Sequence, residues 1–118
     1  MTEAMRALVR AGECAGTLSG DGVASGRAEH PVCGDTLEFD VRFAGERVAE
    51  VAWRAEGCPA TLSVAAVAAE AWRGVCVDEA PARLATRLAE LGGLARHERH
   101  AERAALRAFD AACAAARR

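Results

Sequence analysis

Two alternating runs separated by a glycine constrain this chain more than anything else in it. In Thr36 to Phe43 the apolar residues Leu37, Phe39, Val41 and Phe43 take every second position, with Glu38, Asp40 and Arg42 between them. In Val48 to Ala55 the residues Ala49, Val51, Trp53 and Ala55 alternate in the same way with Glu50 and Arg54. A period of two puts each apolar set on one face, so both runs read as half-buried strands. Between them Ala44-Gly45-Glu46 offers a glycine for a positive φ, which makes an antiparallel hairpin with a three-residue connection. If the apolar faces are to coincide, Val41 pairs with Ala49, Phe39 with Val51 and Leu37 with Trp53, because a slip of one residue would turn one set outward. That register carries Cys33, in His30-Pro31-Val32-Cys33-Gly34-Asp35, to within one residue of Cys58, in Glu56-Gly57-Cys58-Pro59-Ala60-Thr61. Asp35 falls at the same open end of the hairpin.

The flanking segments read as follows. A short helix runs to about Gly12, and a glycine-rich strand or loop spans Gly16 to His30. After the hairpin, Cys58 takes the N-cap and Pro59 the first turn of a helix. Its apolar stripe is Leu62, Ala65, Ala66, Ala69 and Trp72, and Gly74 closes it. A second helix starts near Asp78, with Pro81 in its first turn, and stops at Gly92-Gly93; a last one covers roughly His97 to Ala116. Strands first and helices after give an α+β expectation, a three-stranded antiparallel sheet packed with helices. Trp53 and Trp72 are expected in the core.

At 118 residues, with no Pro/Ser-rich linker or internal repeat, the sequence reads as one domain over 1–118. Its formal charge of −2 gives no electrostatic case for nucleic acid. No run of about 18 apolar residues is available to span a membrane, and Met1-Thr2-Glu3-Ala4-Met5-Arg6 lacks the pattern of a secretory signal. The expectation is a cytoplasmic protein. Five cysteines in a reducing compartment argue for thiol or metal chemistry at some of them rather than for a disulfide framework. Cys14, Cys76 and Cys113 are expected to pack as small hydrophobes.

The clustered residues define a chemistry. A helix N-terminus favours a thiolate, the form that binds metal or attacks sulfur, so Cys58 is the better candidate for an activated thiol. Thiolate sulfur selects zinc or iron-sulfur centres over hard cations, and a carboxylate such as Asp35 can be a further ligand. Beyond Gly92-Gly93, His97, Glu98 and His100 open the last helix, whose positive end keeps histidine neutral for coordination. His97 reads as a ligand or a solvated helix-start residue. Glu98 reads as a first-turn acid or a ligand, and His100 as part of a two-histidine face or a solvated position.

Pro31-Val32-Cys33-Gly34-Asp35, the hairpin, Gly57-Cys58-Pro59-Ala60-Thr61 opening a long helix, and Gly74-Val75-Cys76-Val77-Asp78-Glu79-Ala80 together resemble the IscU/NifU-type iron-sulfur cluster assembly scaffolds over about residues 20 to 116. The resemblance implies an IscU/SufE-like fold, with three cysteines and an aspartate around a surface site that holds zinc or a nascent iron-sulfur cluster. It also implies sulfur supply by a cysteine desulfurase and delivery to iron-sulfur acceptor proteins; the expectation is a scaffold without turnover in the enzymatic sense, as a monomer or weak homodimer. In the family a Leu-Pro-Pro-Val-Lys segment leads into His-Cys at the head of the last helix. The ungapped counterpart here is Leu91-Gly92-Gly93-Leu94-Ala95-Arg96-His97-Glu98, which puts His97 on the family histidine and Glu98 on the third cysteine. The expected metal set is therefore Cys33, Asp35, Cys58, His97 and Glu98. Two other readings stand beside it: a persulfide sulfur acceptor using Cys58, and a divergent zinc-binding interaction module of the same fold.

Overall fold

The hairpin forms, with a different turn and a different register from those the alternation suggests. In the computed structural model, which describes residues 1–30 and 34–117, β2 covers Thr36–Ala44 and β3 covers Arg47–Glu56. Only Gly45 and Glu46 connect them, and Gly45 has a φ of 62°. Phe39 pairs with Trp53, Val41 with Val51 and Leu37 with Ala55, two residues away from the expected partners. The shorter turn accounts for one residue of the difference and an irregularity between Arg42 and Phe43 for the other, so that Phe43 faces Val48. A two-residue shift preserves the face of every side chain, which is why the apolar match survives the wrong register. Past the bulge the faces exchange: Val48 is buried and Ala49 exposed.

Within the glycine-rich stretch, β1 (Val23–Glu29) pairs antiparallel with β2, giving the sheet order β1-β2-β3. Ahead of it, residues 13 to 18 form a strap along the free edge of β3. There Trp53 N–H donates to the Cys14 carbonyl and Gly16 N–H to the Trp53 carbonyl. The remaining elements are α1 (Glu3–Ala11), α2 (Pro59–Trp72), α3 (Ala80–Glu90) and α4 (Arg99–Ala116), with 3-10 turns at Val77–Glu79 and Arg96–Glu98.

One face of the sheet meets α2 and α4. Helix α2 is buried on nearly all sides, as a helix of Ala, Val, Thr and Ser in which most side chains are small must be when α1, α3, α4 and the sheet all pack on it. Trp72 closes its C-terminal end, with ring centroids 5.0 Å from Phe39 and 4.5 Å from Phe109. Each of these rings is no more than 2% exposed, and full burial of a large apolar side chain contributes about 1.5–3 kcal/mol. Helix α4 lies unusually close to β1. A Cβ on Gly26 would stand 1.9 Å from the Ala108 carbonyl oxygen and 2.4 Å from the Ala112 nitrogen. The alanines of α4 and the missing side chain of Gly26 permit that approach, and it fixes the height at which the first turn of α4 meets the open end of the hairpin.

Candidate metal centre

Three elements converge at that open end. Asp35 immediately precedes β2, Cys58 is the N-cap of α2 with extended backbone (φ −69°, ψ 157°), and His100 lies in the first turn of α4. A carboxylate oxygen of Asp35, Sγ of Cys58 and a ring nitrogen of His100 all lie within 4.8 Å of one another. Cys58 Sγ is 3.7 Å from His100 Nε2, and Asp35 Oδ2 is 3.9 Å from the same nitrogen. The Asp35 side chain is 10% exposed and that of His100 25%, so the cluster sits at the floor of an open surface.

Each member is held from behind. Asp35 Oδ2 accepts from the Cys58 backbone N–H at 3.3 Å and from the Thr61 hydroxyl at 3.0 Å. Gly57 has a φ of +134°, and a Cβ there would stand 2.3 Å from Asp35 Oδ1. This glycine thus leaves the space the carboxylate occupies. His100 Nδ1 lies 2.9 Å from the His97 carbonyl. Because a carbonyl can only accept, Nδ1 donates to it and Nε2 is the ring atom that faces the cluster, the arrangement that orients a histidine ligand. The His30 ring meets His100 edge to face at 5.2 Å between centroids. A cavity of about 410 Å³ opens beside Cys58 and His100, walled also by Met1, Arg6 and Pro59.

Of the expected ligands, Cys33 lies outside the described residues. Asp35 and Cys58 come together. His97 is exposed and contributes its backbone carbonyl, while its neighbour three residues on supplies the ring. Glu98 is buried and directed elsewhere. Its Oε1 and Oε2 lie 2.8 and 3.0 Å from the Met1 ammonium, and Oε1 also accepts from Ala95 N–H at 2.8 Å. Hydrogen bonding to that ammonium, with the Ala95 bond behind it, holds the Glu98 carboxyl below its ordinary range. Among the described residues the cluster takes His100 in place of His97 and Glu98. No periodicity in the sequence marks His100 over His97, because the 3-10 turn Arg96–Glu98 breaks the helical count just ahead of α4. Cys14 and Cys76 are half-buried, and Cys113 is buried at 9% exposure, where desolvation pushes its thiol up.

A thiol, an imidazole and a carboxylate within bonding reach of one point fit zinc or iron and disfavour calcium or magnesium. The comparisons with known proteins give the family. The family model for the NifU-like N terminal domain matches residues 10–118. The chain belongs to the NifU-like N-terminal domain family. Two relatives, the iron-sulfur cluster assembly scaffold proteins IscU 1 and IscU 2 of Archaeoglobus fulgidus, are each 31% identical over 81 residues, covering 68% of this chain and 52% of the relative. The chain thus spans about half the length of the curated relatives it matches. Among solved structures, a putative iron-sulfur cluster assembly scaffold protein for the SUF system from Fervidobacterium islandicum AW-1 aligns with a TM-score of 0.68 at 14% identity, over 98% of this chain and 96% of that one. A NifU-like N-terminal protein from Brucella abortus aligns at 0.63 and 21%, over 98% and 90%. At these identities the two structures speak for the fold, and they share the α+β architecture of this NifU-like domain. Among the described residues no helix is long and apolar enough to cross a membrane.

Proposed function

We propose that this NifU-like chain, working as a single domain over residues 1–118, is an iron-sulfur cluster assembly scaffold or carrier. Iron or a nascent cluster is its cargo, with zinc as an alternative occupant, held by Cys33, Asp35, Cys58 and His100. The observation that carries the reading is the convergence of Asp35, Cys58 and His100 on one accessible point. Thiolate and imidazole bind such cargo firmly, while a carboxylate at a partly exposed site is a ligand that exchanges readily, as handing cargo to an acceptor protein requires. A cysteine desulfurase would supply sulfur and iron-sulfur acceptor proteins would remove the product, both in the cytoplasm. His97 contributes through its carbonyl, and Glu98 through its hold on the chain start, rather than as ligands.

The test is anaerobic reconstitution with ferrous iron and sulfide. Visible absorption should develop in the wild type and be lost in Cys58→Ala and Cys33→Ala. A colourless wild type would overturn the reading.

A second reading draws on the cavity beside Cys58, which gives a donor's outer sulfur room to approach. In it the Cys58 thiolate attacks the terminal sulfur of a donor persulfide, the donor's S–S bond breaks, and the donor cysteine leaves as thiolate while Cys58 keeps the transferred sulfur. Mass spectrometry after incubation with a desulfurase and cysteine should show one added sulfur on Cys58; an unmodified chain would exclude it.

A further inference from the structure

Thr61 is 2% exposed and belongs to none of the ligand sets above. It sits one turn into α2, three residues after Cys58, and its Oγ1 is 3.0 Å from Asp35 Oδ2 and 3.4 Å from Cys58 Sγ. Both polar contacts of this buried hydroxyl are therefore to members of the cluster. A hydroxyl has one proton and two lone pairs, whereas an ionised carboxylate accepts only. With Asp35 ionised, the proton points to Oδ2 and a lone pair faces the sulfur. When the sulfur is a thiolate and the carboxylate is engaged elsewhere, the same proton serves the sulfur by rotation about the C–O bond, with no movement of a heavy atom.

We propose that Thr61 is a positioning residue of the cargo site, whose single hydroxyl proton is shared between Asp35 and Cys58. With no cargo it anchors the carboxylate beside Cys58 and His100. With Asp35 drawn onto the cargo it turns to the Cys58 sulfur, and when Asp35 lets go the bond to the carboxylate is ready to re-form. The hydroxyl thus supports whichever ligand is not otherwise satisfied, and it eases the exchange that a carrier needs. A valine of the same shape would fill the space without doing this, and a buried hydroxyl is otherwise disfavoured there. This inference rests on the proposed function and adds to it a residue that neither contacts the cargo nor contributes to the apolar core alone.

The experiment uses the full chain and cobalt(II), added without oxygen, as a spectroscopic probe. Affinity and the sulfur-to-cobalt charge-transfer band are measured for wild type, Thr61→Val and Thr61→Ser. Loss of an outer-shell partner typically weakens metal binding about 10- to 100-fold, so Thr61→Val should bind cobalt at least about 10-fold more weakly with a shifted band. Thr61→Ser should restore both. If the valine disturbs packing beneath α2, Thr61→Ala against Thr61→Ser gives the same comparison, because serine keeps the hydroxyl on an equally small side chain. A Thr61→Val protein with wild-type affinity and band overturns the inference alone, and so does a Thr61→Ser protein that restores neither. A wild type with no charge-transfer band, or with a band of undiminished intensity in Cys58→Ala, overturns this inference and the proposed function together.

Discussion

Asp35 and Asp40 lie five residues apart around the same strand, and their surroundings differ in kind. Asp40, on the outer face of the sheet, is closed off on both oxygens. Oδ1 accepts from Ser25 Oγ at 2.7 Å and Arg54 Nη2 at 2.9 Å, and Oδ2 from Leu18 N–H at 3.0 Å and Arg54 Nη1 at 3.1 Å. Burial pushes its carboxyl up, but hydrogen bonds from Arg54, Ser25 and Leu18 outweigh burial and hold it down at about 2. The Arg54 guanidinium is raised in turn, first by its hydrogen bond to Asp40. Asp35, at the entrance to the strand, faces a thiol and an imidazole instead. One aspartate meets a fixed cation that neutralises it in place; the other meets groups that would share a metal with it. The first arrangement is a structural lock between the strap and the sheet, and the second is a candidate metal site.

The sharpest way to break this contrast is at Asp35's own space. Gly57→Ala should push the carboxylate out of the cluster and reduce cargo or cobalt binding by 100-fold or more, about 2.8 kcal/mol at 1.4 kcal/mol per tenfold. Isothermal titration would read it, and binding within threefold of wild type would mean that Asp35 is not needed at the observed position. The lock should instead respond to acid. A carboxyl lowered in the folded state stabilises above its unfolded value and loses that contribution as pH falls through the folded one. Between the ordinary 3.8 and about 2, protonation of Asp40 should thus remove about 2 kcal/mol of stability. Denaturant titrations across this range should show a slope that is markedly reduced in Asp40→Asn, and an unchanged slope in that variant would remove Asp40 from the account. The smallest effect is expected at Glu98. Glu98→Gln should leave cobalt affinity within about twofold and cost roughly 1 kcal/mol of stability, as weakening one partly buried ion pair does. A collapse of cobalt binding would return Glu98 to the ligand set.

What could be read ahead of the structure was local. The hairpin, the cap at Cys58-Pro59 and the stop at Gly92-Gly93 follow from period, proline and glycine within a few residues. The pairing register was not legible, because the irregularity between Arg42 and Phe43 leaves no mark in side-chain type and the two-residue turn at Gly45-Glu46 looks like a three-residue one. Glycine-rich sequence at 16 to 30 left β1 as a strand or a loop for a long-range reason: Gly26 has α4 pressed against it, more than eighty residues away in the chain. The candidate cluster was half legible. Asp35 and Cys58 follow from the hairpin, but the choice of His100 over His97 depends on the 3-10 turn at Arg96–Glu98 and on which face of α4 meets β1. Counting without gaps from a family pattern selects His97, whereas the ring that comes together with Asp35 and Cys58 is that of His100, after the short turn.

The claim on which this account most depends is that the imidazole of His100 completes the donor set. X-ray absorption at the metal edge of the zinc-loaded, oxygen-free protein, compared across His100→Ala, His97→Ala and Glu98→Gln, tests it most directly. The account predicts sulfur together with nitrogen or oxygen donors in the wild type, with the imidazole scattering lost in His100→Ala and retained in the other two. Imidazole scattering that survives His100→Ala and disappears in His97→Ala would contradict it.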